Sequence, residues 1–157
     1  MKKIPLFAII ISMIAAAWSF AGEKPVKPSA ADKCPVCGMF VSKYPDFSAQ
    51  IIFKDDTYAV FDGTKDMFKY YMNPAKFTPG RKASDFDYIY VTDYYSLKPI
   101  NGFTAFYVMG SDIYGPMGRE LIPFEKAGDA AEFKKDHKGT SILKFGEISP
   151  TIVKGLD

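Results

Sequence analysis

The sequence predicts an α+β protein built from two related ββαβ modules packed together. Three features carry that expectation. Each half of the chain holds a pair of β-rich runs, each pair is followed by a segment with helical periodicity, and each half closes on a further β-rich run. The 14 Phe and 10 Tyr residues supply apolar area that a disordered chain lacks.

Two segments precede the first module. Lys2 and Lys3 lead into an apolar run from Ile4 to Ala17, and Ser19-Phe20-Ala21 puts small residues where a signal peptidase cuts, after Ala21. Residues 1–21 therefore read as a cleaved secretory signal peptide. The run is shorter than the roughly 20 apolar residues of a spanning helix, so membrane contact is expected only through a signal segment that stays uncleaved. Residues 22–32, GEKPVKPSAAD, show no apolar period and read as a flexible lead. Cleavage takes two of the 20 basic residues and none of the 18 acidic ones, leaving a chain of near-zero net charge. Such a chain has no basic footprint for nucleic acid, and no nucleic-acid partner is expected.

The first module spans residues 33–100. Phe47 to Phe53 and Thr57 to Phe61 are β-rich runs around Lys54-Asp55-Asp56, the pattern of a hairpin. Residues 62–73 predict a helix, with Asp62 or Thr64 as its cap, Met67, Phe68 and Tyr71 on one stripe, and Pro74 as its stop. Met67 and Met72 fit that helical pattern as packing residues. A Pro- and Gly-containing loop follows, and the run from Asp87 to Tyr95 returns as a strand.

The second module, residues 101–157, repeats the order: strands at 103–110 and 119–124, an amphipathic helix at 127–138 and a closing strand at 140–148. Its first two strands flank a predicted loop from Gly110 to Gly118. That loop frames Met117 between Pro116 and Gly118, whereas a methionine kept for packing usually sits on a periodic face.

The chemistry concentrates at KCPVCGM, Lys33 to Met39, which holds the only two cysteines, Cys34 and Cys37. A closed zinc site needs four nitrogen or sulfur ligands, and two Cys with the single His137 fall short. Haem attachment needs histidine where Gly38 stands. A thioredoxin-like couple expects the motif at a helix start after a buried strand, whereas here it follows a polar lead. In an oxidising envelope the plain alternative is a disulfide that staples a metal-free interaction module. Soft-metal binding draws on more residues, because Cys34, Cys37 and Met39 put two thiols and a thioether within six positions, a donor set that selects Cu(I). Met109 lies in an alternating strand, where core and ligand roles fit the pattern equally. His137 stands at the end of a lysine-rich helix, where histidine is commonly a dipole partner, and it is also the only imidazole.

CGM near the mature N-terminus, AFYVMGSDIYGPMGRELIPF in the second half and AAEFKKDHKG after it resemble the NosL family of nitrous-oxide reductase accessory copper proteins. The resemblance runs from about Cys34 to Phe145. It implies two ββαβ modules and tight Cu(I) binding. It also implies copper supply to nitrous-oxide reductase through the periplasmic component of an ABC-type maturation system, by a carrier that is not an enzyme. Carried over residue by residue, it marks Cys37, Gly38 and Met39, the loop methionine Met117, and His137 before a lysine and glycine. Cys37 would be the anionic anchor and Met39 and Met117 soft donors, with Cys34 or His137 completing the site. Two departures stand out. Many relatives are lipoproteins with an acylated cysteine after the signal peptide, where this chain has Gly22, so a periplasmic protein without a lipid anchor is expected. Cys34 is an addition to the CGM pattern. The rival reading is an envelope thiol oxidoreductase using Cys34 and Cys37.

Overall fold

The computed structural model describes residues 24–157, so the expected signal peptide lies outside the described residues. The described residues form β1 Ala49–Phe53, β2 Tyr58–Phe61, α1 Thr64–Met72, α2 Pro74–Phe77, β3 Phe86–Thr92, β4 Pro99–Asn101, β5 Phe106–Gly115, β6 Gly118–Phe124, α3 Ala127–Asp136, β7 Ser141–Lys144 and α4 Pro150–Lys154. They assemble two antiparallel sheets, ordered β2-β1-β3-β4 and β6-β5-β7. The α+β class is as expected, and both halves run in ββαβ order. The short elements β4, α2 and α4, each opening on a proline, have no counterpart in the sequence reading.

β1 is central in its sheet and every one of its residues is buried, which is why AQIIF lacks the alternation of a half-exposed strand. α1 lies against this sheet through Met67, Phe68 and Tyr70. The same apolar cluster takes in Tyr107 of β5, Leu121 of β6, and Val153 and Leu156 in and after α4. Neighbouring residues Val108 and Ile122 point the other way and join Phe124, Ala130 and Phe133 in a smaller core under α3. The second sheet is thus covered on both faces, and the two modules share one principal core. The sheets are also tied by the Tyr94 amide donating to the Pro123 carbonyl at 3.0 Å and the Glu125 amide donating to Asp93 at 2.8 Å. Pro123 stands on the edge strand β6, where its missing N–H breaks no ladder bond.

Two local expectations are corrected. The predicted loop from Gly110 to Gly118 is mostly strand: β5 continues to Gly115 through an irregularity between Met109 and Tyr114. Gly110 takes the left-handed backbone there, at φ +77, and only Pro116 and Met117 form the turn. The second correction concerns the helix cap. Neither Asp62 nor Thr64 caps α1; the N-cap is Gly63, with no side-chain bond of its own. The acceptor comes from the other sheet, because Glu120 of β6 receives the amides of Lys65 and, at 2.9 Å, Leu121. A side chain at Gly63 would collide with the Glu120 carboxyl, so the glycine there keeps space for a cap supplied from a distance.

Burial pushes the Glu120 carboxyl up from its ordinary 4.5 to about 8. A carboxyl raised in the fold stabilises while protonated, so its contribution is complete below its unfolded value and is lost as pH climbs through 8. Denaturant midpoints should therefore fall between pH 5 and pH 8, and Glu120→Gln, which keeps the acceptor oxygen, should flatten that slope. Glu120→Leu orphans the two amides and should cost on the order of 1–3 kcal/mol at either pH. An unchanged slope in the Gln variant would remove Glu120 as its origin.

Candidate metal centre

The cysteine loop closes on itself before the first sheet begins. Lys33 and Phe40 form an isolated antiparallel bridge, the Cys34 amide donates to the Met39 carbonyl at 2.8 Å, and the Gly38 amide donates to the Cys34 carbonyl at 2.9 Å. Gly38 makes this turn with φ +79, a conformation that a side chain strains, while the space around it is open. The loop sends Cys34 into the principal core, where it is 1% exposed, and leaves Cys37 and Met39 half-buried. Both cysteines are free thiols.

Two carboxylates meet them. Asp62 ends the chain segment leaving β2 and Asp66 sits in the first turn of α1, so the strand-to-helix junction aims both at the loop. The Cys37 thiol donates to Asp62 Oδ1 at 3.0 Å, and the Cys34 thiol to Asp66 Oδ2 at 3.7 Å. One ligand atom from each of Cys34, Cys37, Asp62 and Asp66 falls within 4.8 Å of all the others. The second oxygen of Asp62 is buried with no hydrogen-bond partner, which leaves an anionic acceptor beside two thiols and nothing to satisfy it. The positive end of α1 favours both carboxylates, and Lys69 lies 3.4 Å from Asp66.

Burial, offset in part by backbone amides, pushes the Cys34 thiol up to about 11. Cys37 rises further still, first through burial and then through the Asp62 carboxylate. Thiols held protonated in this way are the opposite of an oxidoreductase nucleophile, which needs a depressed pKa. They suit a metal site, where the incoming cation displaces the protons and offsets the crowded anions.

The remaining sequence candidates lie on other elements. Met117 is 46% exposed at the tip of the β5–β6 turn, and its carbonyl accepts from the Lys65 ammonium at 2.9 Å. That bond brings the turn to the start of α1, beside Asp66. Met109 is half-buried in β5, opposite Leu121 and Ser141, and packs against the principal core. His137 follows α3, with Nδ1 3.1 Å from Asp112 Oδ1 and its ring stacked on Phe133 at 4.3 Å. It stands outside the four-residue group. The sequence reading missed Asp62 and Asp66 as site residues. An acid before a helix and another in its first turn are what capping and dipole rules expect anyway, so neither carried a separate signal.

Replacing Asp62 by Asn removes a negative charge beside Cys37 while keeping its shape. The Cys37 thiol should then ionise more readily, and alkylation by iodoacetamide at pH 8 should quicken by several-fold, an order-of-magnitude expectation for one lost neighbouring charge. A slower or unchanged rate would place the Asp62 charge elsewhere.

Comparison with known proteins adds the lineage. The model of the NosL family matches residues 25–153. The copper-binding lipoprotein NosL of Stutzerimonas stutzeri is 28% identical over 139 residues, which cover 83% of this chain and 69% of that protein. The crystal structure of the copper chaperone NosL from Shewanella denitrificans matches with a TM-score of 0.68 at 25% identity, over 82% of this chain and 97% of that one. With a match across nearly all of its described residues, the chain belongs to the NosL family.

Proposed function

We propose that this protein is a periplasmic Cu(I) carrier that delivers copper for the maturation of nitrous-oxide reductase, with no turnover chemistry of its own. The observation that supports it best is the meeting of two free thiols and two buried carboxylates at one end of α1, with one carboxylate oxygen left unsatisfied. Thiolate sulfur selects Cu(I) over harder cations, and the names of two relatives that this chain resembles, copper-binding lipoprotein and copper chaperone, point the same way.

In this reading Asp62 and Asp66 hold the thiols as hydrogen-bond donors until copper displaces the protons. Cys34 is sealed in the core and acts as the fixed ligand. Cys37, half-buried with Met39 two residues on, is the side from which a receiving ligand attacks. Met117, exposed on its turn, offers a further thioether, and delivery goes to the periplasmic component of an ABC-type maturation system or to the reductase itself.

Two carboxylates with two thiolates also suit zinc, so competition between the two metals is the deciding measurement. The reduced protein, titrated without oxygen, should bind one Cu(I) per chain and keep it against excess zinc. Cys37→Ser should abolish tight binding, and Cys34→Ser and Asp62→Asn should each weaken it. Met117→Leu conserves volume, so it should leave the melting temperature of the metal-free protein nearly unchanged. It should also weaken Cu(I) binding about tenfold, or about 1.4 kcal/mol. Tighter binding of zinc than of copper would overturn the assignment, and full affinity in Met117→Leu would confine the site to the first module.

A further inference from the structure

At the C-terminal end of α1, away from the cysteine loop, a cavity of about 270 Å³ opens between α1, α2 and α4. Met72, Phe77 and Val153 give it apolar walls, Lys69, Lys76 and Lys154 bring three ammonium groups to it, and Asp157 adds one carboxylate, which Lys69 takes up. Lys69 is engaged by Asp66 and Asp157. Lys76 lies over the Phe77 ring at 5.1 Å, and among the described residues neither Lys76 nor Lys154 has a carboxylate partner. Without residues 1–21 the chain is close to neutral, so unpaired cations around an apolar hollow are a local feature and not a general basicity.

The protein itself shows what this face accepts. Leu156 is buried against the principal core while the next residue, Asp157, gives its carboxylate to Lys69 and lies 3.4 Å from the Lys65 ammonium. An apolar side chain followed by an acid is thus already held on the flank of α1. We propose that the cavity is a docking site for a partner protein, which inserts an extended segment carrying an apolar side chain flanked by carboxylates, with Lys76 and Lys154 as the receiving cations. The apolar side chain fills the hollow and the acids pair with the Lys76 and Lys154 ammonium groups. Because Lys69 also contacts Asp66, such a partner is seated one ion pair from the thiol and carboxylate group. That the partner is the copper recipient rests on the carrier reading; that the cavity binds such a segment does not.

The test uses the ¹⁵N-labelled metal-free protein and three probes. These are the peptide acetyl-Gly-Glu-Leu-Glu-Glu-Gly-amide, the same peptide with serine for leucine, and vesicles of phosphatidylcholine and phosphatidylglycerol. The leucine peptide should shift the amide resonances of Lys76, Phe77, Val153 and Lys154 in a saturable way, with Kd below about 1 mM. The serine peptide should bind at least about tenfold more weakly, and Lys76→Glu/Lys154→Glu should abolish binding with the melting temperature unchanged. Absence of shifts at those amides, equal binding of both peptides, or a response to vesicles alone would each overturn the proposal, the last by making the face a lipid contact. Copper titration of the doubly substituted protein separates the two readings. Copper binding that survives there while peptide binding is lost leaves both standing, and copper binding that fails in the unsubstituted protein removes the carrier reading without touching the peptide result.

Discussion

One carboxylate oxygen of Glu120 receives the amides of Lys65 and Leu121, and this shared acceptor fixes the start of α1 against the second sheet. The consequences run in both directions along the helix. Upstream, Gly63 must stay free of a side chain and Asp62 is left without capping duty, so its carboxylate turns to Cys37. Downstream, the first turn presents Asp66 to Cys34, and Lys65, only 2% exposed, runs to the carbonyls of Met117 and Leu156. A helix whose cap comes from a strand more than fifty residues away cannot settle until that strand is in place. The site is therefore assembled by the contact between the halves as much as by the cysteine loop.

That dependence explains how two thiols and two carboxylates come to lie together at the start of α1. Four groups that would each be anionic when ionised are packed within 4.8 Å, a density that water would normally have to relieve. Here the charge is limited by protons kept on sulfur, by the helix end and by Lys69. A soft cation that expelled those protons would offset the crowded anions. The same arrangement makes the thiols poor redox nucleophiles, so the feature that favours a carrier disfavours the oxidoreductase rival on one physical ground.

The second half does more than echo the first. Its strands bury both faces, Tyr107 and Leu121 toward α1, Val108 and Ile122 toward α3. This explains why LIPF reads as a continuous apolar run and why Met109, on the same side as Tyr107 and Leu121, packs with the principal core. His137 belongs to the far side of that sheet, where Asp112 and Phe133 hold it. A lone imidazole at a helix end looked available because sequence spacing says nothing of which face of a sheet a helix covers.

Local pattern determined much of this protein. Strand-like runs located six of the seven strands described, helical periodicity located α1 and α3, and the close spacing of Cys34, Cys37 and Met39 identified the loop that carries the sulfur. Those features are legible because they depend on residues near one another in the chain, through backbone preference and the reach of a tight turn. Tertiary structure decided the rest. The partners of the thiols, the cap of α1, the extension of β5 to a two-residue turn and the separation of His137 from the cysteines all depend on which surfaces meet after folding. Asp62 and Asp66 look like ordinary helix-start acids until Glu120 takes over the cap, and only a contact between distant strands and helices could assign them to the thiols.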